Sequence, residues 1–75
     1  TFFVIAGAFR DQNNAKKKVS QLLRDGYENA TELGVNKWKL YQVSFGGFQD
    51  RLDAEKLLKQ VRLSGASDAW VLEQK

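Results

Sequence analysis

The sequence predicts an α+β fold in the order β-α-β-β-α-β, and two observations carry that prediction. The first is an internal repeat: offset by about 39 residues, the first half of the chain lies over the second. Val4 matches Val43, Gly7 matches Gly46, Phe9 matches Phe48 and Asp11 matches Asp50. Ala15, Lys17, Gln21, Gly26, Ala30 and Leu33 then match Ala54, Lys56, Gln60, Gly65, Ala69 and Leu72. The second observation is a change of hydrophobic period within each copy, from a strand-like apolar run to a helical stripe and back.

The elements follow in order. Thr1–Ala6 is β-branched, aromatic and apolar, and reads as a strand that Gly7-Ala8-Phe9 breaks. Asp11 is placed to cap a helix with Ala15, Val19, Leu22 and Leu23 on one face, and Gly26 to end it in a left-handed C-cap. Tyr27 to Leu33 makes a weaker strand, and Gly34-Val35-Asn36-Lys37 a turn. In the second copy Trp38–Phe45 is a strand of strong β-propensity, broken by Gly46-Gly47. Asp50 with Asp53 resembles a capping box. The following helix runs to about Leu63, with Ala54, Leu57, Leu58 and Val61 inward. Gly65 closes it, and Ala69-Trp70-Val71-Leu72 is the last strand.

Right-handed crossovers in each βαβ half put both helices on one face of a four-stranded antiparallel sheet, the ferredoxin-like or RNP-like arrangement. The first strands of the two copies should lie side by side in the middle. The chain reads as one domain over residues 1–75, with copies at approximately 2–36 and 41–75.

Composition limits what such a domain does. At 75 residues it buries only about 60% of its chain surface, so it has a modest core and no chamber for a large substrate. There is no cysteine and no histidine, which removes disulfides, thiolate metal sites and the commonest general base. No cofactor is expected. No apolar run is long enough to span a membrane, so no direct insertion is expected either. The chain opens on one strand and ends just after another, which reads as a domain cut from a longer protein. The net charge of +3 is mild, and Lys16-Lys17-Lys18 reads as the solvated side of a helix rather than a nucleic-acid footprint. Nothing in the sequence sets an oligomeric state.

Alternation assigns the faces of the sheet. Phe2/Tyr41, Val4/Val43 and Ala6/Phe45 share one parity and should face the helices. The opposite parity carries Phe3 and Ile5, then Trp38, Leu40, Gln42 and Ser44. In the last strand Ala69 and Val71 point inward, which turns Trp70 outward, and Thr31 joins the same surface. An exposed face so rich in aromatic and apolar residues marks a binding surface. Indole rings bordered by amides and hydroxyls suit a sugar, whose C–H face stacks while its hydroxyls find partners. The same composition suits an unstacked base, or burial against protein.

The two turns carry a family pattern. Val4-Ile5-Ala6-Gly7-Ala8-Phe9, followed by Ala15, resembles the V-Q-x-G-S/A-F … A start of the SPOR domain, the sporulation-related repeat. Tyr41-Gln42-Val43-Ser44-Phe45-Gly46-Gly47-Phe48, with Asp53-Ala54-Glu55, is similar to its second-half Y-R-V-x-V-G-P-F … A-E. The resemblance covers Phe2 to Leu72. It implies a bacterial envelope module, in the periplasm or cell envelope, that binds peptidoglycan and prefers glycan strands stripped of stem peptides. Such strands arise at the division septum, where the module helps place its parent protein.

The resemblance also implies the contact residues, on the open sheet face. Ile5 stands where the family often has glutamine, and Ala8 at the small residue of the first turn, often serine. Leu40 occupies a position that can carry tryptophan, with Trp38 two residues earlier. Gln42 replaces the usual arginine, Gly47 the proline of the second turn, and Trp70 matches an exposed apolar position on the last strand. With Phe3 and Ser44, these make the expected glycan-binding set: Phe3, Ile5, Ala8, Trp38, Leu40, Gln42, Ser44 and Trp70.

Rival functions fit the residues less well. Asp11, Asp50 and Asp53 are better explained as helix caps, and nothing in the sequence puts on the open face the pair of carboxylates, about 5–9 Å apart across a cleft, that glycoside hydrolysis needs. The chain is therefore not expected to be an enzyme. A protein-interaction or dimerisation domain of the same fold is the first alternative. An RNA-recognition-motif-like domain is the second. Ser44-Phe45-Gly46-Gly47-Phe48 superficially resembles its signature, but the glycines should fall at the strand end rather than within it, no Lys or Arg precedes them at the right place, and Phe45 should point inward.

Overall fold

The computed structural model describes residues 1–74; Lys75, the last residue of the second expected copy, lies outside them. Six elements follow in the expected order: β1 (Phe2–Phe9), α1 (Gln12–Arg24), β2 (Thr31–Val35), β3 (Tyr41–Phe48), α2 (Arg51–Leu63) and β4 (Trp70–Glu73). The strands form one antiparallel sheet in the order β2-β3-β1-β4, which sets β1 beside β3 in the centre.

Each helix begins and ends on local chemistry. Asp11 accepts a hydrogen bond from the Asn13 N–H at 2.8 Å, and Asp50 from the Leu52 N–H at 2.9 Å. Both side chains satisfy a first-turn donor that the helix leaves orphaned. Asp50 and Asp53 do not form the expected capping box. Asp50 bonds one residue earlier than that motif requires, and Asp53 adds an acidic side chain in the first turn, next to the positive end of the helix. At the other ends the chain turns left-handed, at Gly26 (φ 100°) and Gly65 (φ 114°). The Tyr27 N–H donates to the Leu22 carbonyl at 3.0 Å and the Gly26 N–H to Leu23 at 3.2 Å. Ala66 donates to Val61 at 2.9 Å and Gly65 to Arg62 at 3.3 Å. Both helices thus close in a full Schellman motif.

Both helices pack on the same side of the sheet. Ala15 and Leu22 of α1 join Ala54 and Val61 of α2 in one buried cluster with Val4, Val43, Phe45, Ala30 and Ala69. Tyr27 meets Phe45 edge-on, with ring centroids 4.8 Å apart. Phe2, Ala6, Tyr41 and Val71 pack against this core, so alternation placed the helix-facing residues correctly.

Strand ends differ from expectation in three places. Gly7-Ala8-Phe9 and Gly46-Gly47 do not break their strands; they belong to β1 and β3. Ile5 pairs with Ser44 and Gly7 with Val43, which leaves Ala6 without a partner; Val4 pairs with Gly46, which leaves Phe45 without one. These are β-bulges, where one strand carries an extra residue and the pairing resumes beyond it. The shift lets Phe9 and Phe48 face the helices alongside Ala6 and Phe45. In the third place, β2 runs over Thr31–Val35 rather than Tyr27–Leu33, taking Gly34 and Val35 from the expected turn, and β3 starts only at Tyr41, so Trp38 and Leu40 lie outside the strand assigned to them. Turn chemistry overrides β-propensity there: the Asn36 side chain accepts from the N–H of Trp38 at 2.9 Å and of Leu40 at 3.1 Å.

Gly65→Ala puts a side chain at φ 114° with nothing within 4 Å to clash, so its effect is backbone strain alone. We expect a loss of about 1 kcal/mol in urea unfolding, and a similar loss for Gly26→Ala.

Candidate functional site

The sheet side away from the helices is built from the residues that the core does not take. Across the strand order, one register row runs Thr31, Ser44, Ile5, Trp70. On one side of it a second row places Gln42 between Ala8 and Gly34; on the other, Phe3 lies between Gly47 and Leu72. Ala8 therefore sits within β1, opposite Gln42, rather than in a turn.

Exposure divides these residues. Ile5 and Ser44 have no exposed surface, although no helix covers them. Neither belongs to the buried cluster shared with the helices, and together they form the floor of the open face. Trp70, next to Ile5 in the row, is 37% exposed and stands at the surface. Phe3, Ala8, Gln42 and Leu40 are half-buried. Trp38 is 68% exposed in the β2–β3 loop, past the end of the sheet.

The Ser44 hydroxyl is turned back onto its own strand. It donates to the Gly46 carbonyl at 3.0 Å and accepts from the Gly46 N–H at 2.9 Å. Both bonds span the Phe45 bulge, so this side chain pins the strand irregularity. The Phe3 ring occupies the space over Gly47: a Cβ built there would lie 2.7 Å from the ring. That glycine keeps Phe3 flat against the sheet.

Trp70 is positioned from behind. The Arg62 guanidinium on α2 donates twice to the Ala69 carbonyl, at 2.9 and 3.2 Å, immediately before β4 begins. Inward Ala69 and Val71 then leave Trp70 the outward position. Sequence reasoning missed this arginine, because its spacing from Ala69 becomes meaningful only once the helix cap is folded. It also missed Leu72, although the alternation that turned Trp70 outward applies to it equally.

Two concave features lie elsewhere. One runs along α1 beside Phe9, and another opens between the C-terminal ends of the helices, above Tyr27, Phe45 and Val61. Among the described residues, no group of acidic side chains is gathered closely enough to hold a metal ion. No helix there is long and apolar enough to cross a membrane. The open face thus carries the partly exposed Trp70 indole and the half-buried Phe3 ring, with the half-buried Gln42 amide across the Ile5–Ser44 row from Phe3.

With that geometry in view, the SPOR domain family model matches residues 1–73, nearly the whole chain. The chain belongs to the SPOR domain family. This is a family of binding domains known for peptidoglycan, typically found in cell-envelope proteins. No curated protein and no solved structure matches this SPOR domain.

Ser44→Ala leaves a buried Gly46 N–H without its partner. We expect it to destabilise the domain by about 1–3 kcal/mol in chemical denaturation. Gly47→Ala should be clearly less harmful in a Phe3→Ala background than in the wild type, as measured by a double-mutant cycle.

Proposed function

We propose that this SPOR domain is a non-catalytic module that binds glycan strands of peptidoglycan, those stripped of stem peptides, across the open sheet face. In the periplasm it would help bring its parent protein to the septum or the cell wall. The observation that carries this reading is the row from Thr31 to Trp70. A partly exposed indole stands beside a closed floor of Ile5 and Ser44, on a face the helices leave free.

Trp70 would stack on a sugar ring, a contact worth about 1–3 kcal/mol by analogy with base stacking on aromatics. Gln42, half-buried in the next row, would hydrogen-bond an acetamido or hydroxyl group. Phe3, Ala8 and Leu40 would supply apolar contact around it, and Ile5 and Ser44 the support beneath. Phe45, which a nucleic-acid reading of this fold would want at the surface, is buried against Tyr27 on the helix side, and this favours the glycan reading.

Co-sedimentation with purified sacculi tests the proposal. Pelleting should rise when an amidase has removed the stem peptides, and fall about tenfold in affinity for Trp70→Ala, with the circular dichroism of the variant unchanged. Failure to pellet with either preparation would point instead to a protein-interaction domain of the same fold.

A further inference from the structure

The loop between β2 and β3 presents three exposed residues in succession, Lys37, Trp38 and Lys39. Asn36 holds this tip in shape. Its side-chain oxygen accepts from Trp38 and Leu40, its N–H donates to the Leu40 carbonyl at 2.9 Å, and its carbonyl accepts from Lys39 at 3.0 Å. Lys39 sits at φ 62°, the one left-handed residue other than glycine among those described. Only backbone groups of Trp38 and Lys39 enter these bonds, so the fold asks for neither side chain. Yet the tip carries an indole that is 68% exposed, flanked in sequence by two exposed lysines.

The Lys37 Nζ lies 4.5 Å from the centre of the Trp38 ring. One ring face is thus shared with a cation, and the other is free. A free indole face takes the C–H side of a sugar, and ammonium groups beside it take an anion at the edge of that sugar. A neutral saccharide would leave the lysines unused. A single-stranded nucleic acid would need a basic groove along its backbone, which one short tip does not provide. The ligand that uses all three residues is an acidic sugar, a ring that carries a carboxylate.

We propose that Lys37-Trp38-Lys39 is a second subsite of this domain, selective for a carboxylate-bearing sugar. The proposal rests on the glycan reading above and sharpens it. In peptidoglycan the stem peptide is joined to a lactyl group on the sugar by an amide. Hydrolysis of that amide takes up water, releases the peptide amine and leaves a carboxylate on the sugar. Removing the peptide therefore creates a negative charge as well as space, and the tip reads the charge. Strands lie about 4.8 Å apart and rise about 3.3 Å per residue, so Trp70 on β4 and the tip beyond Tyr41 are separated by roughly 15–20 Å on the diagonal. An extended strand stacked on Trp70 would cross the Gln42 row on its way to the tip.

The test uses soluble glycan oligosaccharides released from amidase-treated peptidoglycan, in two forms. One keeps its carboxylates; in the other they are converted to methylamides, which preserves the backbone and removes the charge. Isothermal titration should give roughly three- to tenfold tighter binding to the charged form, narrowing as salt is raised. The double variant Lys37→Gln/Lys39→Gln should lose that preference and keep its affinity for the methylamide form. Equal binding of both forms by the wild type, with Trp70→Ala weakening both, would overturn the tip subsite and leave the sheet-face reading standing. Binding of neither form would overturn both. If the double variant keeps the glycan preference but loses binding to phosphatidylglycerol vesicles, the tip is a membrane contact and the proposal falls.

Discussion

β1 and β3 pair side by side in the middle of the sheet, and each carries one residue, Ala6 and Phe45, that has no partner across the ladder. A strand with strict alternation would send Phe9 and Phe48 to the side away from the helices. The bulges keep both rings in the core and still turn Ile5, Ser44 and Gln42 outward. A bulge also adds local twist, so it shapes the face as well as assigning it. Ser44 is the hinge pin of this arrangement on β3: a single hydroxyl exchanges two hydrogen bonds with Gly46 across the irregularity. The helix-side core and the open face are thus two consequences of one pairing.

Much of this was legible in the residues. Asp11 and Asp50 capped their helices and Gly26 and Gly65 ended them, because those positions depend on chemistry within a few residues. The inward set of Val4, Val43 and Phe45 followed from alternation before the bulge, where local pattern and tertiary packing agree. Misreadings came where two local signals compete. Glycine after a β-run reads equally as a stop or as a bulge, and only the partner strand decides. Trp38 and Leu40 looked like strand on propensity, but Asn36 captures their N–H groups and draws them into a turn.

For the candidate site, the sequence assigned residues to a face better than it assigned their exposure. Which residues share a face is a matter of parity. Whether Ile5 is touched or buried depends on what its neighbours cover, which parity does not report. Ser44 and Trp70 share a row, yet one hydroxyl is spent on the backbone while the indole stays at the surface. We read the matched pairs as two copies of one unit. On that reading the copies differ on the open face, where Ile5 answers to Ser44 and Thr31 to Trp70. One half of the row is thereby apolar and aromatic and the other hydroxylic, so a bound polymer would meet a face with a direction.

The place of β1 in the sheet has a further consequence, for how the chain comes to be folded. It is synthesised before the other strands of the sheet, yet both its hydrogen-bonding edges are taken by strands made later, β3 and β4. Until Trp70–Glu73 exists, β1 has one open edge, the kind of template that pairs with other chains. Such distant pairing is slow to form because it closes a long loop. The first copy is therefore no miniature of the whole, since its own strands β1 and β2 never touch and are separated by a strand borrowed from the second. Foldability belongs to the interleaved pair, and a chain interrupted between the copies inherits the helix caps without the sheet.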